Sequence, residues 1–191
     1  MQTIKKNKNI KEIVTALKNG AVLVLPTDTV YGLVCDATNK KAVKKIFDIK
    51  KRNKLKPLPV FMKDIKMAKK YSFMGKEQEK FLKDNWPGAV TVVLKRKKGL
   101  SPLVYKNDTI ALRQPNYKLI IEITKIFKKP LAQTSANISN FPATTKIREV
   151  LGQFKNQKNQ PDLIIDAGNL KKNKPSVIID LTKDNIKILR K

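Results

Sequence analysis

The stretch that most constrains the fold is residues 21–37, where an apolar segment changes abruptly into a polar one. Its first five residues are apolar, which predicts a buried strand, and Pro26 ends that strand. A buried strand of this kind delivers the polar side chains that follow it to the rim of a sheet, where α/β proteins bind ligands. If the backbone stays extended, Thr27, Thr29 and Tyr31 share one side. The commoner alternative is a hydroxyl-bonded turn.

The rest of the chain mixes helical and strand patterns, without an internal repeat or a linker long enough to demand a second domain. We therefore predict one α/β domain over residues 1–191, with a core at about 10–190. Helical spacing of apolar residues predicts helices over 10–19, 39–49, 117–128 and 145–154, and two short helices within 64–84. Strands are predicted over 21–25, 58–62, 89–94, 109–113, 131–134, 163–165, 177–181 and 186–189. Gly20, Asn39 and Thr145 are predicted to cap helices.

Histidine is absent and cysteine occurs once, which excludes several kinds of site. Without histidine the chain cannot form a Ser-His-Asp triad, and the usual zinc sites are excluded as well. Cys35 cannot form an internal disulfide, so we expect the reducing cytoplasm and a packing role for this side chain. No apolar run approaches the roughly 20 residues of a membrane span. Residues 1–11 lack the apolar middle of a secretory signal.

The chain is strongly basic, with a formal net charge of +27. Such a surface attracts the phosphates of a nucleotide or of an RNA backbone, although lysine can also simply replace other polar residues. Arginine offers a planar fork for carboxylate or phosphate, so its retention in a lysine-rich chain indicates positions worth locating. The five arginines are Arg52, Arg96, Arg113, Arg148 and Arg190.

Polar groups follow the ends of several predicted strands. They are the 27–29 cluster, the basic run 50–56, Arg113, the 135–139 segment and Ser176. If one cleft collects them, it holds cations and hydroxyls with few carboxylates, which suits ATP phosphates and a carboxylate. No P-loop or Rossmann fingerprint is present. The residues alone therefore predict a basic α/β domain with an anion-binding cleft.

A series of short motifs carries the prediction further. In order they are PTDTVYGL at 26–33 with CDA at 35–37, the KxR of Lys50 and Arg52, KPLPV at 56–60, WPGAVT at 86–91, TIALRQP at 109–115, SANIS at 135–139, PSVIIDL at 175–181 and ILR at 188–190. Together they resemble the YrdC-like family of threonylcarbamoyl-AMP synthases over nearly the whole chain. The resemblance implies a twisted open mixed sheet flanked by helices, whose concave, basic face holds the site.

The resemblance also implies an activity and its partners. The enzyme would join L-threonine, bicarbonate and ATP, with a magnesium ion, to give threonylcarbamoyl-AMP and pyrophosphate. The amine and bicarbonate would form a carbamate, whose oxygen attacks the α-phosphate. A downstream tRNA threonylcarbamoyltransferase would use the product to make threonylcarbamoyladenosine in tRNA. Because larger members carry a further C-terminal domain, the chain is expected to be the short form.

The motif positions imply three overlapping sets of site residues, and no metal held by the protein. The catalytic set is Lys50, Arg52, Ser135 and Asn137. The L-threonine set is Thr29, Tyr31, Phe61, Arg113, Gln133 and Ser176, in which Arg113 pairs with the carboxylate and Phe61 and Gln133 act through backbone groups or shape. The ATP set is Arg52, Lys56, Thr109, Ser135 and Arg190. Asp28 is expected to serve the turn.

Three positions depart from the family pattern. Asn140 replaces a glycine after SANIS, which is tolerable if the backbone there is left-handed. Val177 replaces a hydroxyl residue, and Val34 stands where less bulk is usual.

Two other functions remain open from the sequence. One is a non-catalytic module of the same fold that binds double-stranded RNA or tRNA, which the charge favours. The low aromatic content of 6% argues against base stacking, so such binding would be mainly to phosphates. The other is a carbamoyl-transfer domain that acts on a different acceptor.

Overall fold

A computed structural model describes residues 2–5, 10–171, 173, 175–183 and 185–190 as a mixed sheet with helices on both sides. The strands are β1 (Gln2–Lys5), β2 (Leu23–Leu25), β3 (Gly32–Asp36), β4 (Val60–Phe61), β5 (Val90–Lys95), β6 (Tyr105–Lys106), β7 (Thr109–Arg113), β8 (Leu131–Ser135), β9 (Leu163–Asp166), β10 (Val177–Asp180) and β11 (Lys187–Arg190). The helices are α1 (Ile10–Lys18), α2 (Lys40–Lys50), α3 (Ile65–Tyr71), α4 (Lys76–Asn85), α5 (Lys118–Phe127) and α6 (Ile147–Phe154). A short 3-10 helix covers Pro102–Val104.

The sheet is open and contains both strand directions. Its order is β1-β9-β2-β3-β8-β4-β7-β5-β10-β11, and β6 pairs with β7 outside this path. The pairs β1–β9, β9–β2, β4–β7 and β5–β10 are parallel, whereas the other neighbours are antiparallel. The predicted open mixed sheet flanked by helices is therefore confirmed.

The two faces of the sheet are covered to different extents, because side chains alternate between them along each strand. On one face Val24, Leu112 and their neighbours form the main core with α2, α3, α4 and α6. On the other face Leu25 and Phe61 form a second core beneath α1 and α5. The strand residues of this second core belong to β1, β9, β2, β3, β8 and β4, whereas β7, β5 and β10 contribute none.

Helix ends follow local chemistry in two places and differ from the prediction in a third. Gly20, with φ +79°, ends α1 as predicted, and the Asn39 side chain accepts from the N–H of Ala42 at 3.1 Å to cap α2. Thr145 does not cap α6. The N-cap position belongs to Lys146, whose N–H donates to the hydroxyl of Thr144 at 3.0 Å.

Three strands, β1, β3 and β6, were not predicted, and β3 pairs in antiparallel with both β2 and β8. β1 pairs in parallel with β9, so the sheet extends beyond the predicted core limit at residue 10. β6 pairs with β7 through a tight turn in which Asn107 and Asp108 have φ of 48° and 57°. The strand predicted over 58–62 is shorter, because only Val60 and Phe61 pair with both neighbours.

The positions that depart from the family pattern are accommodated by the fold. Asn140 has φ 72°, the left-handed backbone that a glycine replacement requires. Val34 packs in the second core, and Val177 packs against the main core. Cys35 is fully buried in the main core, which confirms its packing role, and burial raises the pKa of its thiol well above the ordinary value. Among the helices described, none is long and apolar enough to cross a membrane.

Candidate active site

A cleft of about 520 Å³ lies over β5, β7 and β10, which contribute no residue to the second core. Its floor consists of alternate residues of three neighbouring strands, namely Thr91 and Val93 of β5, Ala111 and Arg113 of β7, and Ile178 of β10. The cleft also brings together the other predicted site residues Thr29, Tyr31, Arg52, Gln133, Ser135, Ser176 and Arg190. The strand ends that the sequence marked as polar therefore converge on one cavity.

A second depression of about 310 Å³, called here the basic pocket, adjoins the cleft. It is lined by Lys50, Lys51, Arg52, Asn53, Lys56, Ser135, Asn137, Ser139 and Asn140. Arg52 and Ser135 line both depressions. A ligand that occupied both would pass between these two side chains.

Residues 27–30 form a hydroxyl-bonded turn rather than an extended strand. Thr27 Oγ1 donates to the carbonyl of Val30 at 2.6 Å and accepts from the N–H of Thr29 at 3.1 Å. Thr29 Oγ1 lies 3.2 Å from Thr27 Oγ1. Because the Thr27 proton is already committed, Thr29 is the donor in that contact, and its own oxygen keeps acceptor capacity towards the cleft.

Arg113 lies buried at the end of β7, where a carboxylate compensates its charge. Nη2 donates to Asp28 Oδ2 at 2.6 Å, and Nε donates to the carbonyl of Gly88 at 2.9 Å. Burial lowers the pKa of Arg113, and the charge of Asp28 opposes that change. The prediction that Asp28 serves the turn is wrong, because its Oδ2 accepts from Arg113 and from the N–H of Asn116, and among the described residues no group of the 27–30 turn donates to it.

Tyr31, which directly follows the 27–30 turn, bonds to the loop that connects β9 with β10. Its hydroxyl donates to the carbonyl of Gly168 at 2.7 Å and accepts from the N–H of Ala167 at 3.0 Å. Burial raises the pKa of this phenol, so it remains a neutral hydrogen-bonding group. Tyr31 therefore shapes the cleft by holding one of its walls.

The hydroxyl of Ser176, the residue that directly precedes β10, is held by groups from β5 and β11. Thr91 Oγ1 donates to Ser176 Oγ at 3.0 Å, and Arg190 Nη2 donates to the same oxygen at 3.1 Å. Arg190 Nη2 also donates to the Ser176 carbonyl at 2.6 Å. This contact keeps the arginine beside the cleft although it lies near the end of the chain.

Lys50 is buried beneath the segment that carries Ser135 and Asn137. Its ammonium donates to the carbonyls of both residues at 2.7 Å and to Asn137 Oδ1 at 2.9 Å. Asn137 Oδ1 also accepts from Ser135 Oγ at 2.6 Å. Burial, and secondarily the charge of Arg52, lowers the pKa of Lys50 to about 7. All three protons of the ammonium are used, so Lys50 positions this segment.

Arg52 stands at the junction of the cleft and the basic pocket. Nε donates to the carbonyl of Lys56 at 2.9 Å, and Nη2 donates to that of Pro57 at 3.3 Å. Burial lowers the pKa of this guanidinium from its ordinary value. These two hydrogen bonds to backbone carbonyls fix the plane of the Arg52 guanidinium, whose charge lines both depressions.

Two predicted site residues do not line the cleft or the basic pocket. Phe61 is on the cleft face of the sheet, but it is buried in the second core with residues of α1 and α5. Thr109 lines a separate surface depression with Lys95 and Arg96, and its hydroxyl donates to the carbonyl of Lys106 at 2.7 Å.

Sequence reasoning did not assign Thr91 and misjudged Asp28. Thr91 belongs to the WPGAVT motif, and alternation with the core residue Val92 could have placed it in the floor of the cleft. Asp28 lies next to a predicted anion site, where its negative charge would repel the ligand. That repulsion could have indicated that Asp28 has a buried arginine partner.

Among the described residues that line the cleft and the basic pocket there is no Asp or Glu. The described part of the chain likewise contains no group of three or more His, Cys, Asp or Glu side chains that could hold a metal ion. These donors do not fit a magnesium ion held by the protein.

Comparisons with known proteins agree on one family. The model of the Sua5/YciO/YrdC family, described as "Telomere recombination", matches residues 15–191. A threonylcarbamoyl-AMP synthase of Aliivibrio fischeri is 35% identical over 151 residues, which cover 77% of this chain and 82% of that protein.

Two solved structures are similar over the length of the chain. P. abyssi Sua5 complexed with L-threonine has a TM-score of 0.89 at 28% identity and covers 99% of this chain, which spans 56% of that structure. E. coli YciO has a TM-score of 0.86 at 26% identity, covering 100% of this chain and 94% of its own.

Proposed function

Because the chain belongs to the Sua5/YciO/YrdC family, we propose that it is an L-threonylcarbamoyladenylate synthase. It joins L-threonine, bicarbonate and ATP into threonylcarbamoyl-AMP and pyrophosphate, for the threonylcarbamoyladenosine modification of tRNA. The observation that carries this proposal is the junction of the cleft and the basic pocket at Arg52 and Ser135. A reaction between an amino acid and a triphosphate requires two such adjoining sites.

In the first step the ammonium group of threonine loses a proton to solvent, the resulting amine nitrogen attacks the carbon of bicarbonate, and water leaves as the carbamate forms. In the second step a carbamate oxygen attacks the α-phosphorus of ATP, and the bond to the β-phosphate oxygen breaks to release pyrophosphate. Both steps join anions, so their main requirements are alignment and positive charge that is already in place. Arg52 and Arg190 supply positive charge around the cleft, whereas the charge of Arg113 is compensated by Asp28.

Threonine occupies the cleft in this proposal. Thr29 accepts a hydrogen bond from its hydroxyl or amine, and the guanidinium N–H groups of Arg113 that Asp28 and Gly88 leave unused donate to its carboxylate. Val93, Ala111 and Ile178 offer apolar surface to the methyl group. Apolar contact with one methyl group supplies about 1–3 kcal/mol of selection against serine.

The triphosphate occupies the basic pocket, where Lys56 lies with the Ser135–Asn137 segment. Lys50 holds that segment in place. Any magnesium enters with ATP, coordinated by phosphate oxygens and water, since the protein offers no carboxylate there.

Pyrophosphate release is the measurement that tests the function. We expect release by the purified wild type only when threonine, bicarbonate and MgATP are all present. Arg52→Ala should reduce kcat/KM by about 100-fold, because a charge-assisted hydrogen bond in the transition state is lost. Arg148→Ala is the matched control, because Arg148 is exposed on α6 and lines neither depression. Release that does not depend on threonine, or equal rates for wild type and Arg52→Ala, would contradict the function.

The remaining partners are part of the same proposal. A tRNA threonylcarbamoyltransferase takes the product, and the net charge of +27 supports transient contact with the RNA backbone. With a single buried cysteine, the cytoplasm is the proposed compartment. RNA binding that persists unchanged in saturating ATP and threonine would indicate a separate RNA surface. RNA binding by a protein that releases no pyrophosphate would favour the non-catalytic module instead.

A further inference from the structure

The contact between Thr91 and Ser176 is a hydroxyl pair buried at the edge of the cleft. Thr91 is 2% exposed and Ser176 is 9% exposed. Ser176 Oγ accepts from Thr91 Oγ1 at 3.0 Å and from Arg190 Nη2 at 3.1 Å. The hydroxyl oxygen therefore receives two hydrogen bonds.

A serine hydroxyl has one proton and two acceptor lone pairs. Because Thr91 and Arg190 occupy both lone pairs of Ser176, the hydroxyl has only its proton left to contribute. Over the described part of the chain, no hydrogen bond uses that proton, and Ser176 lines the cleft. The arrangement makes Ser176 a donor towards the contents of the cleft.

We propose that Thr91 is a positioning residue, which fixes the Ser176 hydroxyl as a hydrogen-bond donor to an anionic oxygen of the bound substrate. The inference rests on the proposed function and extends it to a residue and a hydrogen-bond direction. A carboxylate oxygen of threonine and a phosphate oxygen of ATP share the required chemistry, since both accept and neither donates when ionised. Arg113 and Arg190 both line the cleft beside Ser176, which favours an anion there.

Replacement of the Thr91 hydroxyl by a methyl group is the direct test. Thr91→Val keeps the shape of the side chain but removes its hydrogen bond to Ser176. The Ser176 hydroxyl can then rotate and direct its proton away from the substrate. We expect the KM of one substrate to rise about 5-fold with little change in kcat, and Ser176→Ala to raise it about 30-fold, because a hydrogen bond to a charged group is lost. A rise in the KM for threonine identifies the carboxylate as the acceptor, and a rise in the KM for ATP identifies a phosphate.

Two further variants separate positioning from packing. Thr91→Ser keeps the donor and should retain the wild-type KM. Thr124→Val makes the same chemical change at another fully buried threonine, whose hydroxyl donates to carbonyls within α5, and should leave both KM values unchanged. Circular dichroism melting of each variant measures folding independently of activity.

The decisive result is the double variant. If Thr91 acts through Ser176, Thr91→Val should have no further effect on KM in the Ser176→Ala background. An equal effect in both backgrounds, in variants that remain folded, would overturn the inference while leaving the proposed function standing. A wild type that releases no threonine-dependent pyrophosphate would overturn the proposed function and this inference with it.

Discussion

Arg113 keeps its charge inside the protein because Asp28 lies 2.6 Å from its Nη2 atom. Asp28→Asn keeps the size of the side chain but removes the compensating charge. Removal of one partner of a buried ion pair typically costs about 3 kcal/mol or more, because the remaining charge is buried without compensation. We expect the free energy of unfolding, measured by urea denaturation, to fall by about 3 kcal/mol.

Asp48→Asn is the matched control for this prediction. Asp48 pairs with Lys44 one turn earlier on α2, and both side chains are well exposed. Exposed pairs of this kind contribute about 0.5 kcal/mol or less, so its loss should be small. Similar losses for the two variants would show that the Asp28–Arg113 pair is not the buried charge pair described above.

Lys50 makes the stability of the protein dependent on pH. Its pKa is about 7 in the fold, whereas an ordinary lysine has a pKa of 10.5. Between these values the unfolded chain binds one more proton than the folded chain, so the free energy of unfolding rises with pH. We expect this rise to approach about 1.4 kcal/mol per pH unit between about pH 7 and 9, as measured by urea denaturation.

Two lysine variants of α2 test the origin of that rise. Lys50→Met removes the titrating group and should flatten the dependence, although it lowers stability at every pH by leaving three acceptors without their donor. Lys44→Met removes an exposed lysine and should keep the wild-type slope. An unchanged slope in Lys50→Met would assign the pH dependence to other groups.

At the scale of elements, Tyr31 joins the turn after β2 to the loop before β10. Tyr31→Phe removes only the hydroxyl that bonds Ala167 and Gly168. A lost hydrogen bond of this kind costs about 1 kcal/mol, so the Ala167 amide should exchange its hydrogen about 5-fold faster in a hydrogen–deuterium measurement. The KM for threonine should rise as well, because Ser176 follows this loop.

Tyr105→Phe provides the comparison for that experiment. The Tyr105 ring stacks under Arg96 and would keep this contact without its hydroxyl. We expect the exchange rate of Ala167 to remain that of the wild type in this variant. Equal acceleration in both variants would mean that Tyr31 does not hold the loop.

The sequence predicted most elements because their patterns are local. The apolar spacing in α1 and the cap at Asn39 depend on neighbouring residues, and both are observed. β1 was missed because its pairing with β9 joins residues about 160 positions apart. The cleft was predictable at strand ends, but the partners of Asp28 and Ser176 were not, since each bond joins residues 85 positions apart.

At the scale of the whole molecule, the net charge of +27 acts on substrates over distance. ATP is a polyanion, whereas threonine is a zwitterion with no net charge. Salt shortens the range of electrostatic attraction from about 10 Å at 0.1 M to about 3 Å at 1 M. We expect the KM for ATP to rise several-fold between 50 mM and 500 mM KCl, while the KM for threonine changes less than about twofold.

Steady-state kinetics at several KCl concentrations measure both constants in one series, and sodium acetate in place of KCl controls for specific chloride binding. A KM for ATP that is independent of salt would show that only short-range contacts attract the nucleotide. Equal rises for both substrates would indicate a general effect of salt on the enzyme.

The alternation of side chains in the cleft floor has a consequence for how new specificities arise. Val93, Ala111 and Ile178 face the cleft, whereas their chain neighbours Leu112 and Ile179 face the main core. A duplicated gene can thus accumulate changes at the codons for Val93, Ala111 and Ile178 without disturbing the core residues that keep the protein folded. A combinatorial library confined to those codons is accordingly a short route to synthases that activate other amino acids.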